Sequence, residues 1–233
     1  MTPRLLKLTL SYDGTRFVGW QSQKNGRSVQ ETLEAALKQL TGKKVSVTGA
    51  GRTDSGVHAM GQVAHANVIC RLSVNGIRKA LNAILPEEIV VRSVQTAPAG
   101  FHARYSAQSK WYRYQVWNSP VRPLAGRERM HYISDRLDLG RMRRAARSLT
   151  GRHDFKKFVS SGSKPVRSTV RTLRLKISRK GPLVTLDFRA NGFLYHMARR
   201  ITGYLIHIGK GKPAPAVAPS APAKGLCLMR VSY

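Results

Sequence analysis

The sequence predicts an α+β protein made of two similar halves, and three observations carry that prediction. Segments with period-two apolar alternation recur along the chain, each of strand length. Between them lie stretches with apolar residues at helical spacing, closed by recognisable caps. The order strands, helix, strands, helix then occurs a second time, without any short-period repeat in the residues themselves.

Leu6, Leu8, Leu10 and Tyr12 predict a half-buried strand that ends at the turn Asp13-Gly14. In the following SVQETLEAALKQLTG, Ser28 and Glu31 form a capping-box pattern, Val29, Leu33, Ala36, Leu37 and Leu40 make one helical face, and Gly42 is the stop. Residues 45–47 and 62–69 are expected as strands. Val74, Ile77, Leu81 and Ile84 predict a helix halted near Pro86, and IVVRSVQ a strand after it. In the second half SAQSKWYRYQVWN reads as a strand, and Leu139, Met142, Ala146 and Leu149 stripe a helix. A hairpin turns at Lys180-Gly181-Pro182, and Leu194, Met197, Ile201, Leu205 and Ile208 predict the last long helix. The halves are expected at 1–103 and 104–233, meeting near Phe101–Arg104 without a flexible linker. The proline-rich stretch 213–223 is expected to be an extended surface connection to a final strand, GLCLMRVSY.

At 233 residues and 42% hydrophobic, the chain is long and apolar enough for a real core. Its 41 Lys and Arg against 11 Asp and Glu give a formal charge of +30. Such a surface attracts polyanions, and nucleic acid is favoured over acidic lipid as the partner. No apolar run approaches the ~20 residues of a membrane span, and the N-terminus lacks the features of a secretory leader, so no membrane association is expected. Cys70 and Cys227 lie outside any CxxC pattern, which predicts reduced thiols and a cytosolic or organelle-matrix setting. The seven histidines show no ligand spacing, so no metal is expected.

Three stretches can carry chemistry. In GAGRTDSGVHAMGQVAH, Asp54 is the one carboxylate between Glu34 and Glu87, held between Arg52 and Gly56. It reads either as a turn aspartate bonded to its own backbone or as an ionised carboxylate serving as nucleophile, base or ligand. KWYRYQVWN mixes Lys110, Trp111, Tyr112, Arg113, Tyr114 and Trp117. Alternation sends Trp111 and Arg113 to one face and Tyr112 and Tyr114 to the other, so some of these rings belong to the core and another can face a base. In FRANGFLYHMARRITG, Arg199 and Arg200 are either solvent-reaching arginines of a core helix or, for a cleft-facing Arg199, the counter-ion of an acid.

Taken together with YDGTRFVGWQ, RSVQETLE, LNAILPEEI, FHARYSA, GRHDF and APAKGL, these stretches resemble the TruA family of tRNA pseudouridine synthases nearly end to end. The resemblance implies the pseudouridine synthase fold, with a mostly antiparallel central sheet, helices outside it and a cleft between the halves. It implies isomerisation of uridine to pseudouridine at positions 38–40 of the tRNA anticodon stem-loop, without metal or cofactor. By the same match Asp54 is the catalytic aspartate, and Arg199 is its paired arginine. Arg52 helps displace the nucleotide, and Tyr112 stacks on the flipped base. The family resemblance also implies a homodimer with one tRNA spanning both subunits. Two departures stand out: only the proline-rich stretch replaces a longer helical insert, and the helix GRMRRAARSLTG is unusually arginine-rich. They support a second reading, a non-catalytic RNA-binding protein associated with the ribosome or with organellar RNA.

Overall fold

The computed structural model describes residues 2–23, 26–160, 162 and 166–233, and the expected α+β class with mostly antiparallel strands is what it shows. Two compact units emerge, Met1–Ala107 with Leu228–Tyr233, and Gln108–Cys227. The sequence-based division differs at both limits. The first unit runs a few residues further, and the final six residues belong to it because their strand lies beside one of its own.

In the first unit β1 (Arg4–Tyr12) pairs antiparallel with both β4 (Ile89–Thr96) and β3 (His58–Val68). The strand β10 (Leu226–Ser232) lies beside β3, and its residues from Leu228 onward belong here. Gly61 on β3 permits that approach: a Cβ there would lie 2.5 Å from the Met229 carbonyl oxygen. Helix α1 (Val29–Thr41) starts where Ser28 accepts from the Glu31 amide and stops at Gly42, whose φ of 70° suits glycine. Helix α2 (Val74–Ile84) is capped by Ser73 and packs on β4. Leu6, Leu8, Leu10, Leu33, Leu37, Ile77 and Leu81 are fully buried and form the apolar core.

Two strands differ from expectation. The segment 45–47 makes no ladder, and α1 side chains take the backbone groups of Val47: its amide donates to Glu34, and Gln30 donates to its carbonyl. The short strand is instead β2 (Thr48–Gly49), paired with β3. Strand β3 itself begins four residues earlier than its apolar pattern suggests, since pairing of Tyr12 with Ala59 extends it.

The second unit has the strand order β5 (Ser109–Asn118), β9 (Leu183–Ala190), β8 (Val170–Lys180) and β7 (Gly151–Asp154). All of these pairings are antiparallel, and β6 (His131–Ile133) adds one parallel pair to β5. Helix α3 (Leu139–Leu149), N-capped by Asp138, packs against β8 and against α4 (Met197–Gly209). The helix α4 starts later than the Leu194 periodicity implies. His196 precedes it with a φ of 59°, so Phe193 and Leu194 lie outside the helix.

The proline-rich stretch is more than a surface connection. Its Ala218 and Ala221 are buried, and its backbone lies on α4 at Gly203, where a Cβ would sit 1.9 Å from the Pro219 carbonyl oxygen. Prolines exclude helix here, as expected, while the interleaved alanines let the extended chain settle against the helix. Among the described residues no helix is long and apolar enough to cross a membrane.

Candidate active site

The loop carrying Asp54 joins β2 to β3, and buried polar groups fix it from below. Thr53 is buried, and its hydroxyl shares a 2.8 Å hydrogen bond with the Tyr12 hydroxyl. Gln62, fully buried on β3, donates to the Gly51 carbonyl at 2.8 Å and to Tyr12 at 3.4 Å. The Trp20 amide donates to the Thr53 carbonyl at 3.0 Å, and the Val57 amide to the Asp54 carbonyl at 3.1 Å. Gly19, with φ 109°, passes so close that a Cβ would lie 2.5 Å from the Thr53 carbonyl oxygen. Low-dielectric surroundings make such bonds costly to break, so the loop is held in one geometry. On it Asp54 is half-buried and Arg52 exposed. Sequence reasoning singled out Asp54 and Arg52 but not Thr53, Tyr12 or Gln62. For Tyr12 and Gln62 the signal was only a polar group at a strand position where apolar ones are usual, and Thr53 is one more polar residue of the loop.

In the second unit the face alternation of β5 is realised. Tyr112 and Tyr114 are buried on one side. The Tyr112 ring meets Phe193 edge-on with centroids 4.8 Å apart, and Phe193 lies in the segment that leads into α4. On the other side Trp111 donates to Asp187 at 2.7 Å, and Arg113 grips the same carboxylate through two nitrogens at 2.9 and 3.1 Å. The guanidinium groups of Arg113 and Arg189 lie over the Trp111 ring, so this ring is already engaged with cations of its own chain.

The two arginines of α4 diverge. Arg200 is a buried residue, not one that reaches solvent: it donates to the Ala218 and Val159 carbonyls and ties the proline-rich stretch to the helix. Arg199 is half-buried and doubly engaged with Ala221. Its Nε donates to the Ala221 carbonyl at 2.8 Å, and its own carbonyl accepts from the Ala221 amide at 3.1 Å. One residue on, the Pro222 carbonyl accepts from the Tyr114 hydroxyl at 2.8 Å. Burial raises the Tyr114 pKa well above the ordinary phenol, against a smaller opposing pull from the Arg199 charge, so it stays a neutral donor. The proline-rich carbonyls were not foreseen as partners. Gly203, a glycine in the middle of a long helix, was the sequence signal that something passes close by. Thus Asp54 and Arg52 share one loop of the first unit, and Tyr112 and Arg199 belong to the second. Among the described residues no group of three or more His, Cys, Asp or Glu is placed to hold a metal ion.

Residues 9–106 and 145–220 match the family model described as tRNA pseudouridine synthase. The chain belongs to that family. Arg52, Asp54 and Arg199 fall inside the matched segments, and Tyr112 between them. Curated relatives named tRNA pseudouridine synthase A extend the likeness over the whole length. The one from Acetivibrio thermocellus is 43% identical over 99% of this chain and 100% of its own. That from Moorella thermoacetica is 42% identical, over 98% and 99%, and that from Syntrophotalea carbinolica 44%, over 98% and 96%. The family expected from the motifs is therefore the family found, and membership makes the chain an isomerase acting on tRNA.

Proposed function

We propose that the chain converts uridine to pseudouridine in the anticodon stem-loop of tRNA, at positions 38–40, with Asp54 as the nucleophile. The observation that carries this reading is the half-buried Asp54 on a loop anchored from beneath by Thr53, Tyr12 and Gln62. A turn aspartate with no task needs no such foundation, whereas a nucleophile gains rate from being held in place. The target base leaves its stack, and the Asp54 carboxylate adds either to the ribose anomeric carbon or to the uracil ring. The glycosidic C1′–N1 bond breaks, the base turns, C5 bonds to C1′, the bond between Asp54 and the nucleotide breaks to return the carboxylate, and loss of the C5 proton completes the product. By motif match Tyr112 stacks on the uracil, Arg199 favours the ionised carboxylate, and Arg52 helps displace the nucleotide. Other Lys and Arg bind phosphates, and the enzyme works as a homodimer.

Tritium release from tRNA carrying 5-tritiated uridine tests the assignment. Wild-type protein is expected to release label while Asp54→Asn does not. Equal release from the two would sink Asp54 as nucleophile. The formal charge of +30 favours one second reading, a non-catalytic RNA binder on the same fold. It requires tight tRNA binding with no label released by wild-type protein.

A further inference from the structure

The motif FHARYSA has no part in the chemistry above, yet it builds an ordered feature on the first unit. Three rings form a column: His65 on β3, His102 with its centroid 4.7 Å away, and Tyr105 a further 4.3 Å on and nearly parallel, at 28°. The column ends in solvent, with Tyr105 77% exposed. A lone exposed tyrosine would be unremarkable, but this one is held by its backbone. The Arg104 and Tyr105 amides both donate to His102 Nδ1 at 3.2 Å. The Ser106 amide donates to the His102 carbonyl at 2.9 Å, and Ser106 Oγ accepts from the His102 amide at 3.0 Å. Beneath, the Ala103 amide donates to His65 Nδ1, and the Tyr233 hydroxyl to the Ala103 carbonyl. Both imidazoles accept backbone amides at Nδ1, which fixes the orientation of the two rings. Burial and the neighbouring His102 also lower the His65 pKa. The column is therefore an aromatic surface in a strongly basic protein, and at its exposed end the Arg104 guanidinium lies 5.8 Å from the Tyr105 ring.

We infer that the open face of Tyr105 is a stacking site for an unpaired nucleobase of the bound tRNA, with Arg104 meeting an adjoining phosphate. A flat, prestacked, exposed ring beside a guanidinium is the combination that holds single-stranded RNA, because every base has a π face and every nucleotide a charge. The ordering of the ring is already met by the His102 bonds, so little conformational entropy opposes binding. This inference rests on tRNA as the substrate and not on Asp54 as nucleophile.

The test is equilibrium binding of wild-type protein and variants to an unmodified tRNA transcript and to a fully paired RNA duplex. Tyr105→Ala is expected to weaken tRNA binding by about tenfold, the scale of one base–aromatic stack, and to leave duplex binding unchanged. Tyr105→Phe, which keeps the ring, is expected to bind tRNA within about twofold of wild type. The slope of log affinity against log salt stays the same in both, because no phosphate contact is removed. The exposure of Tyr105 leaves the fold intact in either variant, which an unchanged melting temperature checks. Tyr105→Ala binding tRNA as tightly as wild type, or losing tRNA and duplex equally, overturns the inference. So does a loss in Tyr105→Phe as large as in Tyr105→Ala. Changed self-association with unchanged tRNA affinity also overturns it, by assigning the ring to contact with a second copy. Wild-type protein that binds tRNA in the Tyr105-dependent manner but releases no label would remove the proposed catalysis and leave the stacking site standing.

Discussion

Replacing Gly203 by alanine sets two effects against each other on α4. Helix propensity favours alanine over glycine by about 1 kcal/mol in a helix interior. Against it, the new Cβ would stand 1.9 Å from the Pro219 carbonyl oxygen, 2.8 Å from its carbon and 3.3 Å from the Ala221 nitrogen. These are backbone atoms, so no rotamer change relieves the clash, and the proline-rich chain must retreat by roughly 1 Å. That chain is tied to the same helix through Arg199 and Arg200, and retreat weakens those bonds too. Overpacking of this kind costs about 3 kcal/mol, leaving a net loss near 2 kcal/mol. For a chain of this length the melting temperature should fall by about 4–8 °C, read by circular dichroism at 222 nm. Gly209→Ala on the same helix is the control. Its Cβ would meet side chains and not backbone, Met142 at 2.8 Å and Leu137 at 3.4 Å, and a flexible thioether can move aside. A Gly203→Ala protein as stable as wild type, or more so, would refute the close packing of the proline-rich chain.

Two further outcomes follow from the polar groups. Thr53→Val removes the hydroxyl bonded to Tyr12 and should cost about 1–2 kcal/mol. It should lower kcat for label release more than it changes KM, and unchanged kcat would show that Thr53 does not position Asp54. His131, whose buried Nδ1 has no hydrogen-bond partner among the described residues, is pushed down to about 4 by burial and then by Lys224 and Lys210. The unfolded chain takes up the proton near the ordinary 6.5, so stability is full above that pH and is lost as pH falls from 6.5 towards 4. Urea unfolding should show this slope in wild type and a flatter one in His131→Gln. Parallel slopes would rule out His131 as its source.

What the sequence made legible was local. Ser28 and Gly42 bracket α1 because cap chemistry acts over three or four residues, and the β8–β9 hairpin turns where Gly181 and Pro182 stand. Asp54 was visible as a lone acid among cations, and the family motifs gave it a task. What escaped the reading is set by partners distant in sequence. Residues 45–47 have strand composition, but α1 side chains claim the amide and carbonyl of Val47. Phe193 and Leu194 match the period of α4, yet the positive φ at His196 starts the helix after them. Arg200 is tolerable inside the unit only because the Ala218 and Val159 carbonyls receive it, and no pattern around Arg200 announces two carbonyls from other segments. The Thr53–Tyr12–Gln62 network likewise joins residues about 40 to 50 positions apart.

The placement of the last strand has a consequence for synthesis. Residues 1–107 leave the ribosome first, but the edge of β3 that β10 covers stays open until residue 228 and its successors arrive. At about 5–20 residues per second that interval is on the order of ten seconds. By its end the second unit has all of its own residues in hand, before the first does. The nascent first half therefore waits with an unpaired strand edge, the kind of surface that chaperones hold and that neighbouring chains can capture.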